Sequence, residues 1–384
     1  MNSFLKTGLI ALMAGLFILP FAKTTYDQNG PLIPPDTVSR LTILFAGDVM
    51  GHQTQIDAAY DPVTKTYSYD SCFNYVRALV SSYDIAVANL EVTLGGPPYT
   101  GYPQFSSPDL LALACRNAGF DILATANNHS VDRGRKGIER TIRILDSLGI
   151  PHYGTYTDSI SRRQTYPMII EKNGIRLALL NYTYGTNGIE VPAPNIVNLI
   201  DEKQIIKDLK AAKDSVVDKV IVYVHWGDEY KNHPNDWQKH YAKVFFNNGA
   251  DIVIGGHPHV LQKMERYEYP DSNGREVMIV YSLGNYISNQ RDRYKDGGAS
   301  IGFELIKKNG KTEIGFSGYY LTWVWITQVN NRKQYYIMPV SSAEQNAGLM
   351  DAEAKAKMKI FADDSRLLYG NNNKGVDEFI YNSK

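Results

Sequence analysis

LTILFAGDVM, residues 41–50, is the stretch that decides the fold: a short apolar run stops at a glycine and is followed by a carboxylate, Asp48. The run at 41–46 has the length and branched side chains of a buried β-strand, and Gly47 opens a turn. Further apolar runs along the chain also end in polar side chains, and amphipathic segments with helical periodicity lie between them. This alternation predicts an α/β fold.

The alternation runs through the first two thirds of the chain. Strands are predicted at residues 41–46, 85–88, 120–126, 220–224 and 251–254. Helices are predicted at residues 71–81, 108–118, 134–148, 202–213 and 236–248. Ser107, followed by a proline, is predicted to cap the second of these helices. A hairpin of strands 168–171 and 175–181 turns through Asn173-Gly174, the strongest short hairpin signal.

Beyond residue 260 the predicted strands follow one another directly. They lie at 261–268, 276–282, 299–307, 311–319 and 321–328, with Asn-Gly turns at 273–274 and 309–310. Such a succession is typical of antiparallel structure. Together with the first half, it predicts two sheets packed together and flanked by helices, and then a helix near 351–366 and a polar tail.

Composition and charge exclude several classes of protein. The 384 residues are 43% hydrophobic and 21% charged, which excludes a disordered chain. Forty acidic residues balance 40 basic ones, so no global field attracts nucleic acid, and we expect no nucleic-acid partner. Cys72 and Cys115 are the only cysteines, too few for a metal site of their own, and Cys115 is predicted to be a buried free thiol.

The N-terminus is typical of an export signal. Lys6 precedes an uncharged apolar run at 7–22, and its poor cleavage site leaves an uncleaved signal anchor open. We therefore expect residues 1–24 to be a signal peptide or signal anchor and 25–40 a linker. The protein is expected in the periplasm or at the outer face of the cell membrane, touching the membrane only through an uncleaved segment.

Polar side chains gather where the predicted strands stop. In open α/β sheets, ligands bind at the carboxyl ends of the strands. Five strands bring carboxylates, amides and imidazoles to this edge: Asp48, Asn89, Glu91, Asn127, Asn128, His129, His225, His257 and His259. Divalent ions of the Mn²⁺, Zn²⁺ or Fe²⁺ type accept imidazole nitrogen and carboxylate oxygen together. The sequence therefore predicts a site for one or two such ions.

These residues stand in six short motifs along residues 41–290. In order they are GDVM (47–50), NLE (89–91), ANNHSVD (126–132), HWGDEY (225–230), GHPH (256–259) and SLGN (282–285). By these motifs the sequence resembles the calcineurin-like metallophosphatase superfamily and, within it, the capsule-synthesis CapA family.

The resemblance implies a fold and a set of residue roles. The implied fold is a four-layer α/β/β/α sandwich of the metallophosphatase type with two mixed sheets. The implied metal ligands are Asp48, Glu91, Asn128, His225, His257 and His259. His129 would protonate the leaving group or stabilise charge on phosphorus, and Asp132 is grouped with it as catalytic. The predicted substrate-binding residues are Asn89, Glu229 and Asn285.

Two departures from the phosphatase pattern bear on activity. Met50 stands where phosphatases carry the histidine of Asp-x-His, and Asn89-Leu90-Glu91 takes the place of Gly-Asp-x-x-Asp. Glu91 is predicted to supply the bridging carboxylate, while one metal position loses a ligand. A weaker or single-metal site therefore stays open.

Several side chains keep a plainer interpretation. Asp132 either orients His129 or caps the helix near Gly134. Glu229 is a general base, a substrate contact or a solvated loop charge, and Asn285 serves the substrate or only a turn. The basic side chains of Arg133, Arg135 and Lys136 either contact an anionic substrate or are only solvated. Surface or structural roles are assigned to His52, His152, His233 and His240.

The resemblance implies a role in making, exporting or attaching an anionic poly-γ-glutamate capsule. One interpretation is a metal-dependent hydrolase or transferase acting on an anionic polymer or phosphoester, which His129 favours. The other is a non-catalytic accessory or binding protein, which Met50 favours, and a general envelope phosphoesterase is a third. Membrane proteins of a capsule-synthesis machinery are candidate partners. Residues 41–290 are taken as the CapA-like core and 291–384 as its β-rich completion, terminal helix and tail.

Overall fold

Two mixed β-sheets face one another in the computed structural model of the protein. The structure describes residues 38–270, 274–346 and 348–382. The predicted signal or anchor at 1–24 lies outside the described residues, as do most of the predicted linker and the first residue of the predicted turn at 273–274.

The described strands are β1 Ser39–Val49, β2 Tyr60–Asp61, β3 Thr66–Tyr67, β4 Ile85–Leu90, β5 Ile122–Ala124, β6 His152–Tyr153, β7 Thr155–Tyr156, β8 Met168–Lys172, β9 Ile175–Thr183, β10 Ile196–Val197, β11 Lys219–His225, β12 Ile252–Gly256, β13 Leu261–Glu268, β14 Glu276–Leu283, β15 Asn285–Ile287, β16 Gly297–Lys308, β17 Lys311–Val329, β18 Arg332–Pro339 and β19 Asp377–Glu378. The described helices are α1 Gln53–Ala59, α2 Arg77–Val80, α3 Leu110–Asn117, α4 Gly134–Ser147, α5 Ser159–Thr165, α6 Glu202–Asp214, α7 Asp236–Asn247, α8 Val340–Gln345 and α9 Ala352–Asn372.

Each sheet has a parallel centre and antiparallel margins. The nine-stranded sheet runs β18-β17-β16-β1-β4-β5-β6, with β15 beside β1 and β19 beside β17, and its strands β1, β4, β5 and β6 are parallel. The six-stranded sheet runs β13-β14-β12-β11-β9-β8, with β9, β11, β12 and β14 parallel. Parallel strands end at a common edge, so each sheet gathers its strand ends at one place.

Successive residues of the central strands point into different cores. In β1, Phe45 packs between the two sheets, whereas Leu44 packs under the helices that cover the nine-stranded sheet. In β11, Ile221 joins the inter-sheet core and Val222 joins the core under α6 and α7. Because both faces of these strands are buried, their sequences are continuous apolar runs. The predicted four-layer α/β/β/α sandwich with two mixed sheets is confirmed.

The C-terminal part of the chain completes this sandwich. Strand β16 pairs with β1 in antiparallel register. Helix α9 lies against β13 and β17, and its Met358 and Phe361 enter the inter-sheet core. Among the described helices, none has the length and apolar character that a bilayer crossing requires.

The helix predicted at 71–81 is wrong. Residues Asp70–Phe73 form a 3₁₀ turn, and only the four residues of α2 are α-helical. The N–H of Val76 bonds to the carbonyl of Phe73, three residues back. This tighter winding turns Cys72, Phe73 and Val76 into the outer core. Both cysteines are buried free thiols, as predicted for Cys115.

The predicted cap of α3 is also wrong. The helix begins at Leu110, with Asp109 at the N-cap position and no side-chain capping bond. The Asp109 carboxylate binds both terminal nitrogens of Arg140 instead, at 2.6 and 2.8 Å. A charged partner on α4 therefore takes the carboxylate that would have capped the helix.

The strand prediction fails in one part of the second half and holds in another. Strands 311–319 and 321–328 are a single strand, β17, whose first part pairs with β16 and whose last part pairs with β18. Strand β18 was not predicted. It follows a tight turn in which Asn330 and Asn331 both have left-handed backbone, with φ of 52° and 60°. The hairpin through Asn173-Gly174 is confirmed.

Candidate metal centre

The predicted ligands come together where the two sheets present their strand ends. Asp48 is the last residue but one of β1, His225 ends β11, and His257 follows β12. The backbone N–H of His257 donates to Asp48 Oδ2 at 3.1 Å, which ties one sheet to the other. Gly256 allows this approach, because a Cβ at that position would lie 2.6 Å from Asp48 Oδ1.

Two clusters of donor atoms share one carboxylate, Glu91. One cluster is Asp48, Glu91 and His225, the other is Glu91, His257 and His259, and the ligand atoms within each lie within 4.8 Å of one another. Nε2 of His225 lies 3.3 Å from Glu91 Oε1, and Nε2 of His259 lies 3.8 Å from the same oxygen. This sharing is the arrangement expected of a bridging carboxylate.

Several of these donor atoms lack a hydrogen-bond partner in the described part of the chain, as ligand atoms of a divalent cation would. Both oxygens of Glu91 and Nδ1 of His257 are buried without a hydrogen-bond partner among the described residues. Buried polar atoms are normally paired, because an unpaired one loses its hydration without compensation. A mixed set of carboxylate oxygens and imidazole nitrogens suits a divalent ion of the borderline class.

The site holds little positive charge of its own. Burial, reinforced by the negative charge of Asp48, raises the pKa of Glu91 well above its usual range. Burial lowers the pKa of His225 to about 3 and that of His257 well below its usual range. The pKa of Asp48 is held below its usual range: burial opposes the shift, but the hydrogen bonds from His259 and Asn89 outweigh it. Neutral imidazoles keep the lone pair that a metal requires.

A ladder of asparagine amides lies behind the carboxylates. Asn89 Nδ2 donates to Asp48 Oδ1 at 2.8 Å, and Asn127 Nδ2 donates to Asn89 Oδ1 at 3.2 Å. The predicted ligand Asn128 places Oδ1 2.9 Å from His225 Nε2. Asn181 holds the loop that carries these amides, since its Oδ1 accepts from the N–H of residues 125 and 126.

His129 is paired with Asp132 and lies beside the clusters without belonging to them. Its Nδ1 lies 2.7 Å from Asp132 Oδ2, and the same oxygen accepts the N–H of Phe105 at 2.7 Å. The ring of Phe105 meets the imidazole edge-on, with centroids 4.5 Å apart. Helix α4 has Arg133 at its N-cap position and no side-chain cap, so the structure gives Asp132 a contact with His129 and no capping bond.

Of the three residues predicted to bind substrate, two are buried and one is exposed. Asn89 and Asn285 are fully buried, and Asn285 Oδ1 lies 3.1 Å from His259 Nδ1. In this arrangement both support ligand candidates, and their contact with substrate stays a prediction. Glu229 is exposed on the loop after β11, where its negative charge is among the causes that raise the pKa of Glu91.

The residue that replaces the first-motif histidine is enclosed. Met50 is 2% exposed, and no imidazole stands in its place. His52 precedes α1 and accepts the N–H of Asn289 at Nδ1, 3.2 Å away. Burial lowers its pKa to about 4. Like the other histidines assigned to surface or structure, it lies outside the two donor clusters.

The basic run beside the Asn-His motif is mostly engaged with neighbouring groups. Arg133 donates to Thr100 Oγ1 at 2.5 Å, and Arg135 pairs with Glu139 at 2.7 Å. Lys136 is exposed. These contacts are local to the loop and to α4, and the contact with an anionic substrate stays an open alternative.

Sequence reasoning missed the residues that follow β9. Tyr184 comes directly after this strand and stacks on His257, with ring centroids 4.5 Å apart. Asn187, three residues on, accepts the Nδ2 of Asn128 at 3.2 Å. The same strand-end rule would have found Tyr184 had the end of β9 been placed at Thr183.

The sequence comparisons agree on one family. A family model described as bacterial capsule synthesis protein PGA_cap matches residues 42–290. The capsule biosynthesis protein CapA of Bacillus anthracis is 28% identical over 295 residues, which cover 73% of this chain and 68% of that protein. The PGA biosynthesis protein CapA of Bacillus subtilis (strain 168) is 29% identical over 309 residues, covering 77% and 76%.

Solved structures give weaker matches. The NAD nucleotidase of Haemophilus influenzae matches with a TM-score of 0.47 and 13% identity, covering 90% of this chain and 65% of that one. The calcineurin-like phosphoesterase YfkN of Bacillus subtilis matches with a TM-score of 0.42 and 14% identity, covering 86% and 98%. The fold description rests on the sheet order of this chain and the family on the sequence match.

The matched segment spans well over half of the chain and contains every residue of both donor clusters. The chain belongs to the bacterial capsule synthesis protein PGA_cap family.

Proposed function

We propose that the protein is an exported, metal-dependent hydrolase or transferase that acts on an anionic polymer or a phosphoester of the cell envelope during capsule synthesis. The observation that carries this proposal is Glu91: a fully buried carboxylate, shared by two donor clusters, with neither oxygen hydrogen-bonded to any residue that the structure describes. The names of the two CapA relatives support the capsule and PGA setting.

The residues that would hold the metal come from both sheets. They are Asp48, Glu91, Asn128, His225, His257 and His259. Glu91 would bridge if two ions of the Mn²⁺, Zn²⁺ or Fe²⁺ class bind. When bound, such an ion supplies a Lewis acid that polarises a phosphoryl or carbonyl oxygen and activates water.

The chain's own proton-handling group is His129. The Asp132 carboxylate accepts from Nδ1, which leaves Nε2 as the nitrogen that can deliver a proton to a leaving oxygen or nitrogen. Asp132 is itself held by the backbone N–H of Phe105, so the pair keeps one orientation. A site that only binds polymer has no need of an oriented proton donor.

The second candidate function is a non-catalytic accessory that binds polymer through the same metal cluster. It is favoured by Met50, which is buried where a histidine ligand of phosphatases would stand. A general envelope phosphoesterase is the third. Both alternatives keep the metal and differ from the proposal in turnover or in substrate.

The test combines metal content with turnover. Purified protein is loaded with Mn²⁺ or Zn²⁺, its metal is counted by mass spectrometry, and phosphodiester and γ-glutamyl substrates are offered with and without EDTA. Variant His129→Ala is compared with His240→Ala, which removes an exposed histidine far from the clusters. Bound metal with no His129-dependent turnover on either substrate class refutes the enzyme and leaves the accessory. Turnover of simple phosphodiesters alone supports the general phosphoesterase.

A further inference from the structure

We propose that Tyr184 and Asn187 position Asn128 in the metal centre by fixing which end of its amide faces the donors. The inference rests on the proposed function, because it assigns both residues to the same metal site. Neither residue belongs to a sequence motif that pointed to the site.

The two ends of the Asn128 amide differ in what they offer to a cation. Only the oxygen carries lone pairs that a cation can use, whereas the NH₂ group would turn its protons toward the ion. Asn128 Oδ1 faces the centre, 2.9 Å from His225 Nε2. Its Nδ2 faces away and donates to Asn187 Oδ1 at 3.2 Å.

Asn187 therefore selects one of two amide orientations. Half a turn of the Asn128 side chain would aim Nδ2 at the centre and set two carbonyl oxygens against each other across the 3.2 Å contact. Asn128 is only 2% exposed, so water would not replace the lost hydrogen bond. The orientation that offers oxygen to a cation is the one this contact favours.

Tyr184 fixes Asn187 in turn. Its hydroxyl donates to Asn187 Oδ1 at 3.3 Å, so that oxygen accepts two hydrogen bonds and its own amide is oriented. Asn187 has a left-handed backbone, with φ of 51°, which asparagine tolerates better than most residues. The loop thus holds its acceptor in place through local chemistry.

The tyrosine also reaches the imidazole donors. Its ring lies 4.5 Å from that of His257 and 6.5 Å from that of His225, and its backbone N–H donates to the carbonyl of His225 at 2.9 Å. One loop of the six-stranded sheet therefore touches an amide donor from the nine-stranded sheet and two imidazole donors from its own. A loop placed this way can set the geometry of the donors without being a ligand itself.

The test is metal affinity, measured by calorimetry with Mn²⁺ on the EDTA-stripped full chain. Asn187→Gly removes the side chain and keeps the left-handed backbone, and we expect the dissociation constant to rise about tenfold. Asn187→Asp retains the acceptor and should stay within about threefold of wild type. Tyr184→Phe, which keeps the ring and loses the hydroxyl, should raise the constant about threefold.

The matched control is Asn331→Gly, which removes an exposed asparagine of the same left-handed conformation in the turn before β18. It should leave metal affinity unchanged. The stripped Asn187→Gly protein should melt only slightly earlier than the control, because it loses one hydrogen bond to a buried amide. If Asn187→Gly binds Mn²⁺ as wild type does, the positioning role is wrong while the metal site stands. An Asn187→Asp protein, which retains the acceptor, that loses as much Mn²⁺ affinity as Asn187→Gly also overturns the positioning role. A wild-type chain that binds no Mn²⁺ overturns both proposals.

Discussion

The two sheets contribute different chemistry to the same site. The nine-stranded sheet and its loops supply oxygen donors, from Asp48, Glu91 and Asn128, whereas the six-stranded sheet supplies nitrogen donors, from His225, His257 and His259. A metal bound by both sets would join the sheets across their open edge. Neither sheet alone therefore supplies both the oxygen and the nitrogen donors of the candidate site.

Burial acts on the two sides in opposite senses. It raises the pKa of the carboxyl of Glu91 and lowers the pKa of the imidazoles of His225 and His257. Both shifts favour the neutral form of each group. A divalent cation reverses the balance for the carboxyl of Glu91 and leaves the imidazoles neutral, so Glu91 depends on the ion more strongly than His225 and His257 do.

The largest expected effect is on turnover, and it distinguishes His129, on the sheet of the oxygen donors, from the histidines on the sheet of the nitrogen donors. His129 lies with the oxygen donors but belongs to neither cluster. His129→Ala should lower turnover about 10²- to 10⁴-fold with metal content unchanged. His257→Ala should lower both turnover and metal content. Steady-state rates and metal analysis of the two variants decide the matter, and loss of metal from His129→Ala would show that the division by sheet is wrong.

The next effect concerns the shared carboxylate. Glu91→Gln keeps the shape and removes the charge, so the Mn²⁺ dissociation constant should rise by about 100-fold or more, because both clusters lose their common ligand. The metal-free protein should melt no earlier than wild type, since an unpaired buried carboxyl has been replaced by a neutral amide.

Calorimetry and thermal unfolding of the stripped protein measure the two halves of this prediction. In the wild type, Mn²⁺ at about 100 times its dissociation constant should stabilise the fold by about 2.7 kcal/mol, and EDTA should remove that gain. Asp364→Asn, which belongs to neither cluster and is ion-paired with Arg293, serves as a control for loss of a carboxylate charge. A Glu91→Gln protein that is destabilised and still binds Mn²⁺ tightly would contradict the assignment.

A smaller effect appears in the pH dependence of the metal-free protein. The pKa of His225 is about 3 in the folded chain and about 6.5 when unfolded. As pH falls between these values the unfolded state takes up the proton first, so the free energy of unfolding falls by about 1.4 kcal/mol per pH unit for this one group. His225→Gln should therefore make the acid loss of stability shallower.

The contribution of Glu91 to the pH dependence of the free energy of unfolding should have the opposite sign. Its folded pKa lies above the unfolded value, so the native state takes up the proton first and gains stability as pH falls toward about 4.5. Glu91→Gln should therefore make the acid loss steeper. Urea unfolding of stripped protein from pH 7 to 4 gives both slopes, with the exposed His240→Gln as control. Equal slopes in all variants would mean that the two sides do not differ electrostatically.

Much of the site followed from the sequence, because apolar runs that stop at polar residues mark strand ends. Asp48, His225 and His257 lie at the ends of predicted strands, and parallel strands bring such ends together. The capsule-synthesis family was predicted from the motifs and is confirmed by the family match. The sequence predicts Glu91 as a bridging carboxylate. It does not predict which histidines lie beside Glu91, because those residues come from the other sheet.

The failures come from long-range partners and from element ends. The predicted cap at Ser107 is wrong because the helix begins at Leu110, where Asp109 binds Arg140, 31 residues away, a contact that no local pattern reveals. The end of β9 was placed two residues early, which hid Tyr184. Asn285 stays a predicted substrate contact, but its hydrogen bond to His259, which lies between β12 and β13, does not follow from any local pattern.

The smallest effect on Mn²⁺ binding is expected from the exposed residue Glu229. Glu229 is exposed, and its negative charge adds to burial in raising the pKa of Glu91 and in raising that of Tyr184 to about 12. If it is a solvated charge, Glu229→Gln should weaken Mn²⁺ binding about two- to threefold at low ionic strength and have no effect in 1 M salt. Asp228→Asn, exposed on the same loop and bonded to Asn235, is the matched control. Loss of turnover with unchanged Mn²⁺ affinity would instead identify Glu229 as a general base or substrate contact, and the oxygen side would then extend beyond the nine-stranded sheet.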